Sequence, residues 1–344
     1  MVNNLKAVFL TGIRKPLEVK EIDVPEKLEP HEVLIKQKMT GVCYRDILTV
    51  DGFFPRVKIP IIPGHEIAGT VVKVGDAVKN FKPGDYVASL IYIPCGTCKY
   101  CRMGMENLCR NRLTYGEDLN GSYAEYVKVH ENSLVKVPPN VPIEGAVIGA
   151  CVTGMLYHAL KVKGGLVEGE KVLVTGAGGG VGIHAVQMAK ALGAKVIAVT
   201  TSEWKIDKIR SAGADDIIIS KGTFSDDVKK LTDGEGVDLV LESVGQPTFE
   251  QSFRSVRWGG RIIVVGNVNV QPVNLNLGPL ILRGVTISGS VSSTKIDLLQ
   301  ALRLTAEGKI KPIIHDVVPL EQVQQVHDMM RKKETVGRVL LRTE

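Results

Sequence analysis

Two textures of hydrophobic and polar residues divide the chain. Through about residue 150 the apolar runs are short and closely punctuated by turn signals. Examples are Glu32-Val-Leu-Ile-Lys36, Gly69-Thr-Val-Val-Lys-Val-Gly75, and Tyr86-Val-Ala-Ser-Leu-Ile91 behind the turn Lys82-Pro-Gly-Asp85. Short strands at this spacing predict a mostly β domain. Further on, apolar runs alternate with longer helical stretches. Lys171–Thr175, Lys195–Thr200, Asp216–Ser220, Val237–Leu241 and Arg261–Val265 read as buried strands, and Ile183–Leu192 and Trp204–Ala212 as helices between them. That alternation predicts βαβ units and a parallel sheet covered on both faces, hence an α/β fold. After about residue 290 come a helix over Lys295–Glu307 and apolar runs at Pro312–Val318 and Val336–Leu341. Pattern alone leaves open which domain these tail elements join.

The chain has 344 residues, 44% of them apolar and 23% charged, which suffices for two domains with ordinary cores. The net charge of +6 is spread along the sequence without a basic stripe interleaved with aromatics, which argues against a nucleic-acid surface. No uninterrupted apolar run of about 18 residues predicts a transmembrane helix. Met1 to Leu10 shows neither the apolar core nor the cleavage site of an export signal, so the expected location is cytoplasmic and the expected partner a small-molecule substrate.

Cysteine spacing changes the picture more. Cys95, Cys98, Cys101 and Cys109 lie within fifteen residues, and Cys43 and Cys151 stand apart. In a reducing compartment such clustering signals metal more often than disulfides. Four thiolates at this spacing wrap one Zn²⁺ tetrahedrally, with every position filled by protein, so the site reads as structural.

A second chemical signal is Val174-Thr-Gly-Ala-Gly-Gly-Gly-Val-Gly182, between a predicted strand and a predicted helix. Glycines there let the backbone approach a pyrophosphate, and the helix N-terminus offers free N–H groups. The literal G-x-G-x-x-G is not met, because Ala177 stands where its first glycine belongs. Gly179, Gly180, Val181 and Gly182 are the candidate contacts, with Gly266 beyond a later strand. The strand Lys195–Thr200 ends in Thr200, Thr201 and Ser202, with no acid at its tip and with Lys205 shortly after. Hydroxyls and a cation suit the 2′-phosphate of NADP(H) over NAD(H), and Glu203 is the competing acceptor for a ribose hydroxyl.

With these motifs in order, Pro63-Gly-His-Glu-Ile-Ala-Gly-Thr-Val71 resembles the signature of zinc-type alcohol dehydrogenases in the medium-chain dehydrogenase/reductase superfamily. The likeness spans nearly the whole chain. It implies a GroES-like catalytic domain formed by 1–150 and 290–344 around a Rossmann domain at 151–289, a doubly wound parallel sheet. It implies that Cys43, His65 and Cys151 bind a catalytic zinc, that Asp46 orients the zinc histidine, and that Glu66 is a fourth ligand or a group behind the metal. It further implies a homodimer or homotetramer.

One departure bears on the reaction. Alcohol dehydrogenases of this type carry Ser or Thr two residues after the first zinc cysteine, to start a proton relay. Here the segment is Cys43-Tyr-Arg-Asp46, so Arg45 holds that place, and Leu48 holds that of the occasional relay histidine. A guanidinium does not shuttle protons at working pH. Cys43-Tyr-Arg-Asp46, Cys151-Val-Thr-Gly154 and Val181-Gly-Ile-His184 resemble stretches of archaeal acryloyl-CoA reductases, zinc-motif members that reduce an activated C=C bond. The expected function is hydride transfer from NADPH to a small enoyl thioester, with interconversion of alcohols and aldehydes as the alternative. A purely structural ion pair is the plainer reading of Arg45.

Overall fold

The structure is a computed structural model and describes residues 4–344. Residues 1–3, where the reading of the N-terminus begins, lie outside it.

The strand-helix alternation builds a six-stranded, wholly parallel sheet. Across it lie Asp216–Ile219, Lys195–Thr200, Lys171–Val174, Val237–Glu242, Val256–Val264 and Thr286–Gly289. Counted among themselves the strands run 3-2-1-4-5-6, so the order reverses between Lys171–Val174 and Val237–Glu242. Ligands bind at such a switch point, beyond the carboxyl ends of the strands. The continuous apolar runs follow from burial on both faces. Val172, Val174, Val196, Ala198, Leu239 and Leu241 enter one core, while Leu173, Ile197, Val199, Val240 and Ile262 enter the other. Each large side chain so buried contributes about 1.5–3 kcal/mol.

The N-terminal part forms a five-stranded antiparallel sheet, in the order Leu134–Lys136, Tyr86–Ser89, Ala68–Val74, Glu32–Lys36, Tyr126–His130. The tail pairs with a strand of the N-terminal part. Ile314–Pro319 and Arg338–Arg342 join Met39–Gly41 in a three-stranded sheet, so chain from beyond the parallel sheet returns to the β part.

Two local differences from expectation have physical reasons. The helix expected over Trp204–Ala212 is a 3₁₀ turn over Glu203–Lys205 followed by a helix over Ile206–Ser211. The Lys205 stem is tucked against the glycine turn, and an added Cβ on Gly178 would stand 2.5 Å from its Cδ. Strand Thr286–Gly289 was not expected. It is an edge strand with no fully buried residue, so it has no apolar run to announce it.

Candidate active site

Strand Met39–Gly41 delivers the chain to Cys43, the N-cap of helix Tyr44–Val50. A capping box fixes that start: the Asp46 carboxylate accepts from the Cys43 N–H at 2.9 Å. The same carboxylate accepts from Tyr123 Oη at 2.9 Å and lies 3.0 Å from His65 Nδ1. One buried acid thus both starts the helix and orients the histidine. The glycine before His65 has its own reason. Gly64 has φ +90°, and a Cβ there would stand 2.4 Å from the Tyr123 ring that reaches Asp46.

Cys151 comes from a π-helical stretch over Gly149–Gly154, a distortion often found at functional sites. Helix Lys295–Ala306 packs against it, and Ser293 Oγ donates to Ala150 O at 3.1 Å. Together Cys43, His65, Glu66 and Cys151 place four ligand atoms within 4.8 Å of one another. The Cys43 and Cys151 sulfurs are 3.7 Å apart, and His65 Nε2 is 3.3 Å from Cys151 Sγ. A tetrahedral Zn²⁺ with bonds of about 2.3 Å to sulfur requires edges of about 3.8 Å. The residues therefore fit a zinc ion.

The protons in this cluster are arranged accordingly. The Cys151 S–H bond and the Arg338 charge pull the Cys43 thiol well below its usual range, against the opposing effect of burial. Donation to Cys43 and burial push Cys151 up. Burial works against charge on His65, yet Asp46 and Cys43 outweigh it and push its pKa up to about 10. A cation replacing these protons finds two thiolates and one imidazole already turned inward.

Glu66 does not stand free beside that set. It forms a bidentate ion pair with Arg338, whose Nε lies 3.2 Å from Glu66 Oε2 and whose Nη2 meets Oε1. Both side chains are almost fully buried. Arg338 Nη2 also lies 3.6 Å from Cys151 Sγ, and a Cβ on Gly180 would touch Arg338 at 3.1 Å. One arginine from the returning tail thus touches the metal cluster and the glycine turn. The sequence reading missed it.

At the turn, Gly176 has φ +60°, so the left-handed residue precedes Ala177 instead of occupying its place. A Cβ on Gly182, which opens helix Gly182–Ala191, would stand 2.2 Å from Gly176 O. Gly266 is equally tight, 2.1 Å from Ser243 O. His184 ties the turn to the tail: its Nδ1 donates to Gly180 O at 2.7 Å and its Nε2 accepts from Ile313 N–H at 2.9 Å. Burial holds its pKa down at about 4, which keeps the ring neutral and both bonds in place. Glu242, fully buried at the end of its strand, accepts from Thr175, Thr248 and Ser252 hydroxyls and from the Val244 and Gly245 amides. It fixes the loop across the switch point, and no motif pointed to it.

Of the candidate phosphate contacts, Thr201 is exposed, Ser202 is half-buried, and buried Thr200 Oγ1 accepts from Ser202 N–H at 3.2 Å. Val181 and Gly179 line the turn ahead of the helix. Lys205 Nζ donates to Lys333 O at 3.1 Å, and its pKa is lowered by burial and by the neighbouring Lys333 charge.

Cys95, Cys98, Cys101 and Cys109 also lie within 4.8 Å of one another, with sulfurs 3.5 Å (Cys98–Cys101), 3.9 Å (Cys98–Cys109) and 4.0 Å (Cys95–Cys101) apart. These edges fit tetrahedral zinc as well. All six cysteines are free thiols, divided four and two as their spacing suggested.

Arg45 pairs through Nε with Glu117, and its guanidinium lies 4.4 Å over the Phe54 ring. The ion pair of the plainer reading is therefore present. Among the described residues it engages only Nε, leaving the two terminal nitrogens without a hydrogen-bond partner.

Comparison with known proteins follows the same lines. The alcohol dehydrogenase GroES-like domain family matches residues 29–139, and the zinc-binding dehydrogenase family matches 180–307. The chain is 48% identical over 340 residues to an acryloyl-coenzyme A reductase of Sulfurisphaera tokodaii, covering 98% of this chain and all of that one. It is 39% identical over 343 residues to an alcohol dehydrogenase of Geobacillus stearothermophilus, covering 98% and 99%. A crystal structure of AibC superimposes with a TM-score of 0.93 at 40% identity, over 99% of this chain and 96% of the other. A zinc-binding dehydrogenase from Sinorhizobium meliloti 1021 bound to NADP does so with a TM-score of 0.88 at 26% identity, over 98% and 99%.

Proposed function

The chain belongs to the zinc-type alcohol dehydrogenase superfamily of NAD(P)-dependent oxidoreductases, and from that premise we propose that it reduces a small enoyl thioester such as acryloyl-CoA with NADPH. One observation carries this reading. A complete Cys43–His65–Cys151 cluster is combined with Arg45, not a hydroxyl, at the start of the alcohol proton relay. The reductases of Sulfurisphaera tokodaii and Metallosphaera sedula, at 48% and 47% identity, support the choice of substrate.

Zinc held by Cys43, His65 and Cys151 would supply a Lewis acid, and NADPH would supply hydride for the β-carbon, with the α-carbon taking its proton from water. The protein does the rest. Asp46 keeps His65 in the tautomer that offers Nε2 to the metal. The terminal nitrogens of Arg45 serve as donors to a thioester oxygen on which negative charge develops. The glycine turn and the first N–H groups of helix Gly182–Ala191 receive the pyrophosphate. The four-cysteine loop carries the structural ion.

Arg45→Ser restores a relay hydroxyl and removes the cation, while Arg56 stays on Glu117 and keeps that acid paired. Enoyl-thioester reduction is expected to fall tenfold or more, about 1.4 kcal/mol of transition-state binding, while alcohol oxidation stays flat or rises. Steady-state assays with acryloyl-CoA and a panel of aldehydes and alcohols decide it. Brisk turnover of simple alcohols by the unaltered enzyme, with none of the thioester, would favour the alcohol dehydrogenase reading.

The NADPH preference rests on Thr200, Thr201, Ser202 and Lys205. Lys205 is partly buried beside the Lys333 charge, which an added phosphate would offset. Lys205→Ala is expected to reduce the NADPH-over-NADH ratio of kcat/KM about tenfold, the worth of one charge-assisted bond of about 1.5 kcal/mol. A higher kcat/KM with NADH in the unaltered enzyme refutes the assignment.

The oligomer, a homodimer or homotetramer in this reading, draws support from one surface. Helix Leu277–Arg283 buries no residue and exposes Leu277, Ile281 and Leu282 at 60–75%, beside edge strand Thr286–Gly289. Two cysteine sets shaped for metal suit a reducing compartment and so a cytoplasmic location. Among the described residues no helix is long and apolar enough to cross a membrane.

A further inference from the structure

The surroundings of Arg45 hold more positive charge than carbonyl binding uses. Glu117 is 2% exposed, with Oε1 on Arg45 Nε and Oε2 on Arg56 Nη2 at 2.6 Å. Arg56 Nη2 also donates to Thr114 Oγ1 at 3.2 Å, and Arg56 Nε stands 3.5 Å from Asp118. The loop bearing these acids is itself tied down, since Thr114 N–H donates to Asp118 Oδ2 at 2.8 Å. Arg112, on Asn107 O at 2.5 Å, has its pKa lowered by burial and then by the charges of Arg45 and Arg56. Three cations face two acids.

A structural ion pair needs one cation for each carboxylate. Here a second arginine, 44% exposed, shares the buried acid of the first, with Asp118 3.5 Å away, and adds repulsion toward Arg112. Arg45 follows Cys43 by two residues, on the first turn of helix Tyr44–Val50. Arg45 is thus the end of the bracket near the metal cluster, and Arg56 the end open to solvent. Phe53, 47% exposed, adds an aromatic face, packed edge-on to the Phe54 ring beneath Arg45.

We propose that Arg56, fixed by Glu117, is a specificity-determining residue that binds a phosphate of the nucleotide-bearing handle of the thioester substrate. Glu117 is the positioning residue: one carboxylate sets two guanidiniums side by side. Arg56 Nη1 has no hydrogen-bond partner among the described residues and remains free to donate. Guanidinium forks suit phosphate oxygens. The inference rests on the enoyl-thioester reading and adds where the non-reacting part of the substrate is recognised.

The test compares acryloyl-CoA with acryloyl-pantetheine, which carries the same reacting group without phosphate, at saturating NADPH. Arg56→Gln is expected to raise KM for acryloyl-CoA at least tenfold with kcat within twofold, and to shift KM for acryloyl-pantetheine by less than twofold. Arg56→Lys recovers part of the loss. Glu117→Gln raises KM for acryloyl-CoA and, by releasing Arg45 too, lowers kcat on both thioesters. Equal shifts of the two KM values in Arg56→Gln, or no shift in either, overturn the proposal. Calorimetry with free coenzyme A separates it from the reaction. Binding to the unaltered enzyme that is lost in Arg56→Gln, with neither thioester reduced, keeps the phosphate site and discards the reductase reading. Binding that survives Arg56→Gln discards the site.

Discussion

The unaltered enzyme is expected to carry two zinc ions per chain, and Cys151→Ser is expected to fold, to carry one, and to lose at least about three orders of magnitude in turnover. Removing a single donor from a preorganised site already costs about 10²–10³, and here the Lewis acid itself goes. The remaining Cys43–His65 pair offers two ligands where a catalytic zinc needs three. The substitution is close in volume, and the π-helical stretch stays packed under helix Lys295–Ala306, so the fold is retained. Elemental analysis, circular dichroism and steady-state kinetics on one preparation give all three readings. A variant that keeps two ions and full turnover removes Cys151 from the metal site. Loss of both ions means that the two sites are not independent.

The second large effect is on stability. Glu66→Ala leaves Arg338 charged, almost fully buried and without its acid. Breaking one side of a buried pair costs about 3–5 kcal/mol, mostly as the price of an uncompensated charge. The thermal midpoint is expected to fall by on the order of 10 °C. The double variant Glu66→Ala/Arg338→Met removes the stranded charge and is expected to regain much of the loss, which a merely lost contact does not allow. A single variant within about 1 kcal/mol of the parent would show that water or the Cys151 sulfur satisfies Arg338.

What the sequence disclosed was whatever its chemistry keeps local. The four-cysteine loop, the glycine turn and the alternation of the parallel strands each lie within one short window, so spacing suffices to read them. Cys43, His65 and Cys151 are dispersed and became legible only through resemblance, as each alone has blander explanations. The unread residues have distant partners. Arg338 meets Glu66 across 272 residues, and Glu117 meets Arg45 across 72. Glu242 is a buried acid with no cation, satisfied by hydroxyls and amides that no spacing rule connects to it. Edge strand Thr286–Gly289 escaped because it is covered too little to carry an apolar run.

The pairing of Arg338 with Glu66 also orders events during synthesis. The four thiols between Cys95 and Cys109 emerge from the ribosome close together and are able to capture an ion while translation continues. The Cys43–His65–Cys151 cluster is assembled from more distant parts. Its ligands come from three separated stretches, and the arginine that compensates Glu66 is made 272 residues after it. Closing so long a loop precedes any gain from the contact. In the growing chain the four-cysteine set is thus complete long before Arg338 is there to compensate Glu66.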